Sequence, residues 1–402
     1  MAALPFVLAM CLAEVLGMLG FSTFQALIPT FRAEWGLSNT GAGWISGIYF
    51  AGYVGAVPLL SALTDRVDAK KVVLASLAIG GGASLAFAVL AEGFWGGLVW
   101  RALQGVGLAG TYMPGLKALS DHVEGHRAQS RYVAFYTASF GIGAALSYVL
   151  AGAIAPEWGW RWAFAVNALG ALLAALLTLA ILPWSAPVKA AAERRLLDFR
   201  PVMRNRAALG YILAYCGHNW ELFAFRSWAV AFLVFALAQH PGSGLGVDAT
   251  VIAAAATLLG VPSSIFGNEL AVRVGRRRLV VAVMVASVAL SLIIGVAAGI
   301  AYGLAVGLCL LYGLLLTGDS GAITAGTVAE AASGQRGATL AMHAFIGFMG
   351  GIFGPLASGI VLDAAGASIL GWSLAIATMG LGSAAALAAI LLVGRPQAVR
   401  PP

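Results

Sequence analysis

Glu14, Arg101, His218, Glu221, Arg226 and Asp319 lie deep inside long apolar runs of the chain. At the centre of a hydrocarbon layer each such group costs about 2.5–3.5 kcal/mol on insertion scales, and those that persist bind an ion or polar solute or pass a proton. Glu14 and Glu221 are carboxyls in similar surroundings, 207 positions apart. Removal from water favours the protonated form of a carboxyl. Either can therefore hold a proton and release it when its surroundings change, and Glu221 is the first choice for that role. The plainer role is a structural pairing with Arg101 or Arg226. His218 stands three residues before Glu221, a neighbour on a helix surface that can share a proton with it. The planar fork of Arg226 suits a carboxylate-like group, or serves as counter-ion to a membrane acid. Gln25, Tyr112, Trp220 and Trp228 offer hydrogen bonds and stacking faces, with packing the plainer role for the aromatics. His343 is a weaker addition.

The elements that must position these groups follow from composition. Hydrophobic residues make up 61% of the 402 positions and charged residues only 10%, against roughly a quarter in soluble domains. A chain so poor in charge needs an apolar solvent, and the bilayer supplies one. The 52 glycines fit closely packed membrane helices. The net charge of +7 does not indicate nucleic acid, because Lys and Arg concentrate between apolar runs. Cys11, Cys216 and Cys309 stand alone within such runs, with neither disulfide nor metal-ligand spacing. The run from Leu4 to Pro29 is too long for a signal peptide, lacks a basic start and carries Glu14, so it reads as a retained first helix.

Apolar segments recur near 4–30, 40–63, 71–91, 94–118, 131–154 and 162–183, then near 207–238, 249–271, 279–299, 302–328, 337–361 and 369–393. Each is long enough to cross a core needing about 20 residues. The expected fold is therefore an all-α integral membrane protein with twelve transmembrane helices in two pseudo-symmetric six-helix bundles, 1–183 and 207–402, joined by a linker over 184–206. That linker holds Lys189, Arg194, Arg195, Arg200, Arg204 and Arg206, and Arg66, Lys70, Lys71, Arg273 and Arg276 to Arg278 fill other loops on the same side. The excess places these loops and both termini in the cytoplasm. Sliding one half by 207 positions lays Arg66 on Arg273, Lys70 on Arg277, Glu14 on Glu221, Gly143 on Gly350 and Gly152 on Gly359. This is a parallel repeat, which puts a solute site between halves and leads one to expect Glu14 and Glu221 to face a common pathway.

After the second apolar run the chain reads Ser61-Ala-Leu-Thr-Asp65-Arg66-Val-Asp68-Ala-Lys70-Lys71. This resembles the cytoplasmic loop signature of the major facilitator superfamily, with Ser61 and Asp68 in place of glycines. Asp tolerates left-handed backbone better than most residues, one way to make the turn at Asp68. The resemblance implies that Asp65, Arg66, Lys70 and Lys71 latch the halves on the cytoplasmic side. Arg101-Ala-Leu-Gln104-Gly105-Val-Gly107-Leu-Ala-Gly110 resembles the family's fourth-helix motif, and Trp160-Arg161-Trp162-Ala-Phe164 another frequent signature. The likeness spans essentially the whole chain and implies helices 1, 4, 7 and 10 around a central cavity.

An enzyme is not expected: no phosphate loop, no metal-ligand pair at helical spacing and no cofactor motif is present. The expected function is secondary transport by alternating access, driven by a gradient, with a channel or receptor as the rival outside transport. The mixed charges suit a small polar or anionic organic solute with protons as coupling ion. The alternative is a multidrug/proton antiporter exporting amphiphilic or cationic compounds. Helix 5, with Gly141, Gly143 and Gly152 but no proline between them, counts against drug efflux. The expected partners are the solute, protons and the lipid bilayer, with no nucleic acid, no cofactor and no metal. The expected setting is a monomer in a bacterial inner membrane.

Overall fold

The computed structural model describes residues 3–184, 199–332 and 335–394, and among them every regular element is helical. In chain order these are α1 (Ala3–Gly17), α2 (Thr23–Ala26), α3 (Ile28–Trp35), α4 (Asn39–Leu63), α5 (Ala69–Leu90), α6 (Gly93–His122), α7 (Gln129–Trp158) and α8 (Trp160–Ile181). There follow α9 (Arg200–Arg204), α10 (Arg206–Gln239), α11 (Ala249–Val274), α12 (Arg276–Ala297), α13 (Tyr302–Leu316), α14 (Ser320–Ala329), α15 (Arg336–Ala365) and α16 (Ile369–Ala388), the last continuing as a π-turn over Ala389–Val393.

Among the described residues 10 helices are long and apolar enough to cross a membrane, with α13 and α14 together making one of them. The count of twelve is not reached, for two physical reasons. The first segment is broken, so that α1 alone is a short apolar helix. Helix α6 carries Arg101, Gln104, Lys117, Asp121 and a run of glycines, which dilute its apolar character. The linker expected over 184–206 falls mostly outside the described residues, with Lys189, Arg194 and Arg195. At its end the Asn205 carboxamide caps α10 by accepting from the Ala208 N–H (3.2 Å).

The described chain forms two compact units. The first holds 3–37, 44–184 and Ala253–Leu258, and the second holds Ser38–Gly43, 199–252 and 259–394. Within the first, Gly105 of α6 lies so close to the Tyr49 carbonyl of α4 that a Cβ there would overlap the oxygen. Gly107 meets Gly80 of α5 in the same way. The small residues of the fourth-helix motif therefore set the spacing of three helices. Within the second, the Asp363 carboxylate accepts from the backbone N–H groups of Asn39 (2.9 Å) and Thr40 (2.7 Å), capping the start of α4.

Two residues of the loop signature, Asp68 and Lys70, have partners inside the first unit. Asp68 is extended, with φ −47° and ψ 125°, and caps α5 by accepting from the Lys70 N–H at 2.8 Å. Among the described residues the left-handed region holds only glycines. The turn at Asp68 is thus made by a cap rather than by left-handed backbone. The Lys70 ammonium donates to the carbonyls of Leu179 (2.8 Å) and Leu182 (2.5 Å) and lies 4.3 Å from the Trp184 ring. It closes the C-terminal end of α8 inside its own unit, where a cation is favoured. Its repeat mate Arg277 donates to the Ile390 carbonyl (3.3 Å) at the end of the last helix. Asp65 is half-buried, while Arg66 and Lys71 are exposed.

Candidate functional site

The first segment breaks over 18–22, between α1 and α2. Gly17 and Gly20 weaken the helix there, and Pro29 follows within a turn of α2. Backbone freed from a helix at membrane depth must find partners in the protein. The Ser22 N–H donates to the Ser147 hydroxyl of α7 at 2.9 Å. Arg101 of α6 donates to the carbonyls of Gly20 (3.3 Å) and Phe21 (3.4 Å), and to the Gln104 carboxamide (2.8 Å). With its amide oriented to match donors with acceptors, Gln25 accepts from the same guanidinium at 3.2 Å. The guanidinium also faces the Tyr49 ring at 4.3 Å. Arg101 is fully buried, with 0% exposure. Its hydrogen bonds go to main-chain oxygens of the break and to an amide oxygen of its own helix.

Glu14 is buried near the end of α1 and accepts from the Tyr136 hydroxyl of α7 at 2.9 Å, while its other oxygen is buried without a hydrogen-bond partner among the described residues. Tyr112 of α6 is half-buried and stacked near the same Tyr136 ring (6.1 Å, 14°). Gln25 and Arg101 thus form one cluster in the first unit, and Glu14 and Tyr112 converge on Tyr136.

The second unit has its own interrupted helix. Thr317 to Asp319 form a turn between α13 and α14, and Asp319 stands at its end. The His218 Nδ1 of α10 lies 2.9 Å from Asp319 Oδ1, with both side chains buried. Glu221, one turn further along α10, accepts hydrogen bonds from the hydroxyls of Ser287 (3.0 Å), Tyr312 and Ser383. These come from α12, α13 and α16, so Glu221 points into the interior of its own unit. His218 therefore pairs with Asp319, and Glu221 with hydroxyls. Arg226 is half-buried, its guanidinium 5.9 Å from the Phe223 ring. His343 of α15 engages Thr324 and Thr327 and stacks on Tyr215 at 3.9 Å.

Trp220 and Trp228 donate their indole N–H groups to the carbonyls of Thr378 and Pro355, both at 2.9 Å, and so act as packing anchors. Sequence reasoning missed Tyr136, Tyr215, Ser287, Tyr312 and Ser383. Hydroxyls are common in membrane helices, and nothing in their spacing marks the few that surround an acid. Gln104 had a visible signal, since it stands in the fourth-helix motif three residues after Arg101. Among the described residues no group of His, Cys, Asp and Glu is arranged to hold a metal ion.

The sequence profile described as Major Facilitator Superfamily matches residues 10–355. The chain belongs to this superfamily. It is a multi-pass membrane protein of a transporter family and not an enzyme. Among similar superfamily proteins, the efflux pump apf11 of Gibberella fujikuroi is 29% identical over 182 residues, 44% of this chain and 31% of that protein. The gentisate transporter of Corynebacterium glutamicum is 26% identical over 160 residues, 39% of this chain and 36% of that one. The aligned parts thus span about a third of each of these relatives. Among solved structures, a bacterial homologue of the human lysosomal transporter Spinster superposes with a TM-score of 0.80 at 14% identity, covering 96% of both chains. The nucleoside transporter NupG superposes with a TM-score of 0.78 at 15% identity, covering 98% of this chain and 100% of that one. At these identities the structural likeness establishes the superfamily fold.

Proposed function

We propose that this superfamily member is a proton-coupled secondary transporter of a small polar or anionic organic solute. It works by alternating access of two six-helix bundles, 1–183 and 207–402, joined by the linker 184–206. The setting is a bacterial inner membrane with both termini in the cytoplasm. The observation that carries the reading is the polar cluster on α10: His218 with Asp319 and Glu221 with its hydroxyls, all buried in membrane-spanning helices. Each of these groups costs about 2.5–3.5 kcal/mol to insert when charged, and transport supplies a task that accounts for them. Arg226, half-buried on the same helix, adds the cation that an anionic solute needs. The similarity to a gentisate transporter favours the same class.

A second reading, a multidrug/proton antiporter for amphiphilic or cationic compounds, is supported by the similarity to the efflux pump apf11. A thermal-shift screen separates the two. The purified protein is tested against amino acids, organic acids, sugars and lipophilic cations at about pH 5.5 and about pH 8, a span that brackets histidine titration. Stabilisation by a small anion or zwitterion, lost in Arg226→Ala, is expected. Stabilisation by lipophilic cations alone, lost in Glu221→Ala, would replace the anion carrier with the antiporter.

A further inference from the structure

A small cavity lies wholly within the first unit, on the flank of the break between α1 and α2. Its volume is about 30 Å³, and its walls come from the broken segment and from α4, α5, α6 and α8. None of its lining residues carries a charge. Two of them hold a polar atom that is buried without a hydrogen-bond partner among the described residues: the Ser76 hydroxyl of α5 and the Gln104 amide nitrogen of α6. Ser76 is 1% exposed and Gln104 5%. Buried polar groups are as a rule hydrogen-bonded, so two of them on one cavity wall point to an occupant.

The lining groups select that occupant. A helical Ser or Thr commonly returns its proton to a carbonyl of the preceding turn. Ser84 does so to Gly80 (3.0 Å) and Thr111 to Leu108 (3.1 Å), which leaves their oxygens as acceptors on the wall. Ser76 makes no such bond. Gln104 is oriented by Arg101: a guanidinium can only donate, so the carboxamide oxygen faces it (2.8 Å) and the NH2 group is the one left over. The wall therefore offers donors from Gln104, acceptors from Ser84 and Thr111, and both from Ser76. An alkali ion would meet the Gln104 N–H groups with no charge to offset its transfer, and an anion would meet the hydroxyl oxygens. An apolar group would leave Ser76 and Gln104 unpaired. Water both donates and accepts, and a polar cavity needs about 10–15 Å³ to hold one molecule, so the space suits about two.

We propose that this cavity is an internal hydration site, in which about two waters join Ser76 and Gln104 to the acceptors Ser84 and Thr111. The waters hold the Gln104 amide in one orientation, and through its oxygen they position Arg101 at the break. The site belongs to one unit, so it stands apart from the solute and from the coupling ion proposed above.

The test is X-ray radiolysis of the full chain in detergent, read by mass spectrometry. Hydroxyl radicals formed from an internal water oxidise the side chains beside it, however deeply they are buried. Leu77 and Leu108 line the cavity and are each 6% exposed, while Leu279 and Leu290 are each 7% exposed and lie outside it. Oxidation of Leu77 and Leu108 is expected to run several-fold faster than that of the other two. Ser76→Ala removes one partner of the water. Gly80→Ala adds a methyl on the wall, in ordinary contact with the Gly107 Cα (3.5 Å), so the chain accommodates it. Each variant should slow oxidation of Leu77 and Leu108 several-fold and leave Leu279 and Leu290 unchanged. The unfolding temperature of Ser76→Ala should not rise, whereas removal of a dry, unpaired hydroxyl would raise it. Equal rates at the four leucines overturn the proposal. So does lining oxidation that neither variant slows, or a higher unfolding temperature in Ser76→Ala.

Discussion

Arg101 donates to the Gly20 and Phe21 carbonyls of the break and to the Gln104 carboxamide, so its loss removes a donor from several buried oxygens at once. Arg101→Met should lower stability by about 2–4 kcal/mol, the range for buried, charge-assisted bonds left unmade. The fall is read as a lower unfolding temperature in detergent. Arg101→Lys should recover only part of it, because an ammonium cannot span Gly20, Phe21 and Gln104 in one plane. An unfolding temperature unchanged in Arg101→Met would deny the guanidinium its supporting role. Tyr312→Phe removes one of the hydroxyls on Glu221 and should cost about 1–2 kcal/mol by the same measurement. The ionisable members of these clusters were legible in the sequence, since a charge in an apolar run declares itself. Their partners were not. The sequence offers Arg101 and Glu14 as a pair, but backbone carbonyls and a tyrosine hydroxyl take the places of the opposite charges. Likewise helical spacing sets Glu221 beside His218, while the approach of Asp319 depends on a turn in another helix.

The interrupted helices show how elements of the two units exchange roles. In the first unit the break lies in the first segment, and intact α6, the fourth, supplies Arg101. In the second unit the fourth segment is interrupted, and intact α10, the first, supplies His218. The repeat by 207 positions made the register of the halves visible, but the breaks are not related by it, so the repeat could not foretell them. Gly17, Gly20 and Gly318 mark the places, yet glycine is too frequent in this chain for those three to stand out. Elements also meet at fixed spacing. Gly105→Ala should cost about 1–3 kcal/mol through overpacking against Tyr49 and reduce the yield of monodisperse protein. A full yield with unchanged unfolding would show that α4 and α6 can part freely. At the helix ends, Lys70→Ala should speed hydrogen exchange in the last turn of α8, by an amount reflecting about 0.5–1 kcal/mol of lost capping. Lys71→Ala, at an exposed neighbour, should leave that exchange unchanged; equal effects in both variants would point to loop charge rather than to the cap.

For the whole molecule, the superfamily fold was legible from composition, repeat and motifs together, because a charge-poor chain with regular basic loops admits few architectures. The twelve spans were less secure as physical helices. Residue counts cannot tell a continuous span from one interrupted by a turn, and α6 is diluted by the motif that identifies it. The topology is tested on a cysteine-free background, replacing Cys11, Cys216 and Cys309. A single cysteine at Arg66 or Arg273 should react with a membrane-impermeant maleimide only from the cytoplasmic face, and one at Ser243 only from the other. Labelling of Ser243 and Arg273 from the same face would reverse or break the proposed order. The guanidinium in the first break has one further consequence. Unwound carbonyls at membrane depth elsewhere form cages for soluble alkali ions, whereas here the cage is already occupied by a tethered cation of the protein itself. The occupant is therefore replaceable in principle: in Arg101→Ala, added guanidinium or methylguanidinium salt should restore part of the lost unfolding temperature, while sodium or potassium at equal strength should not.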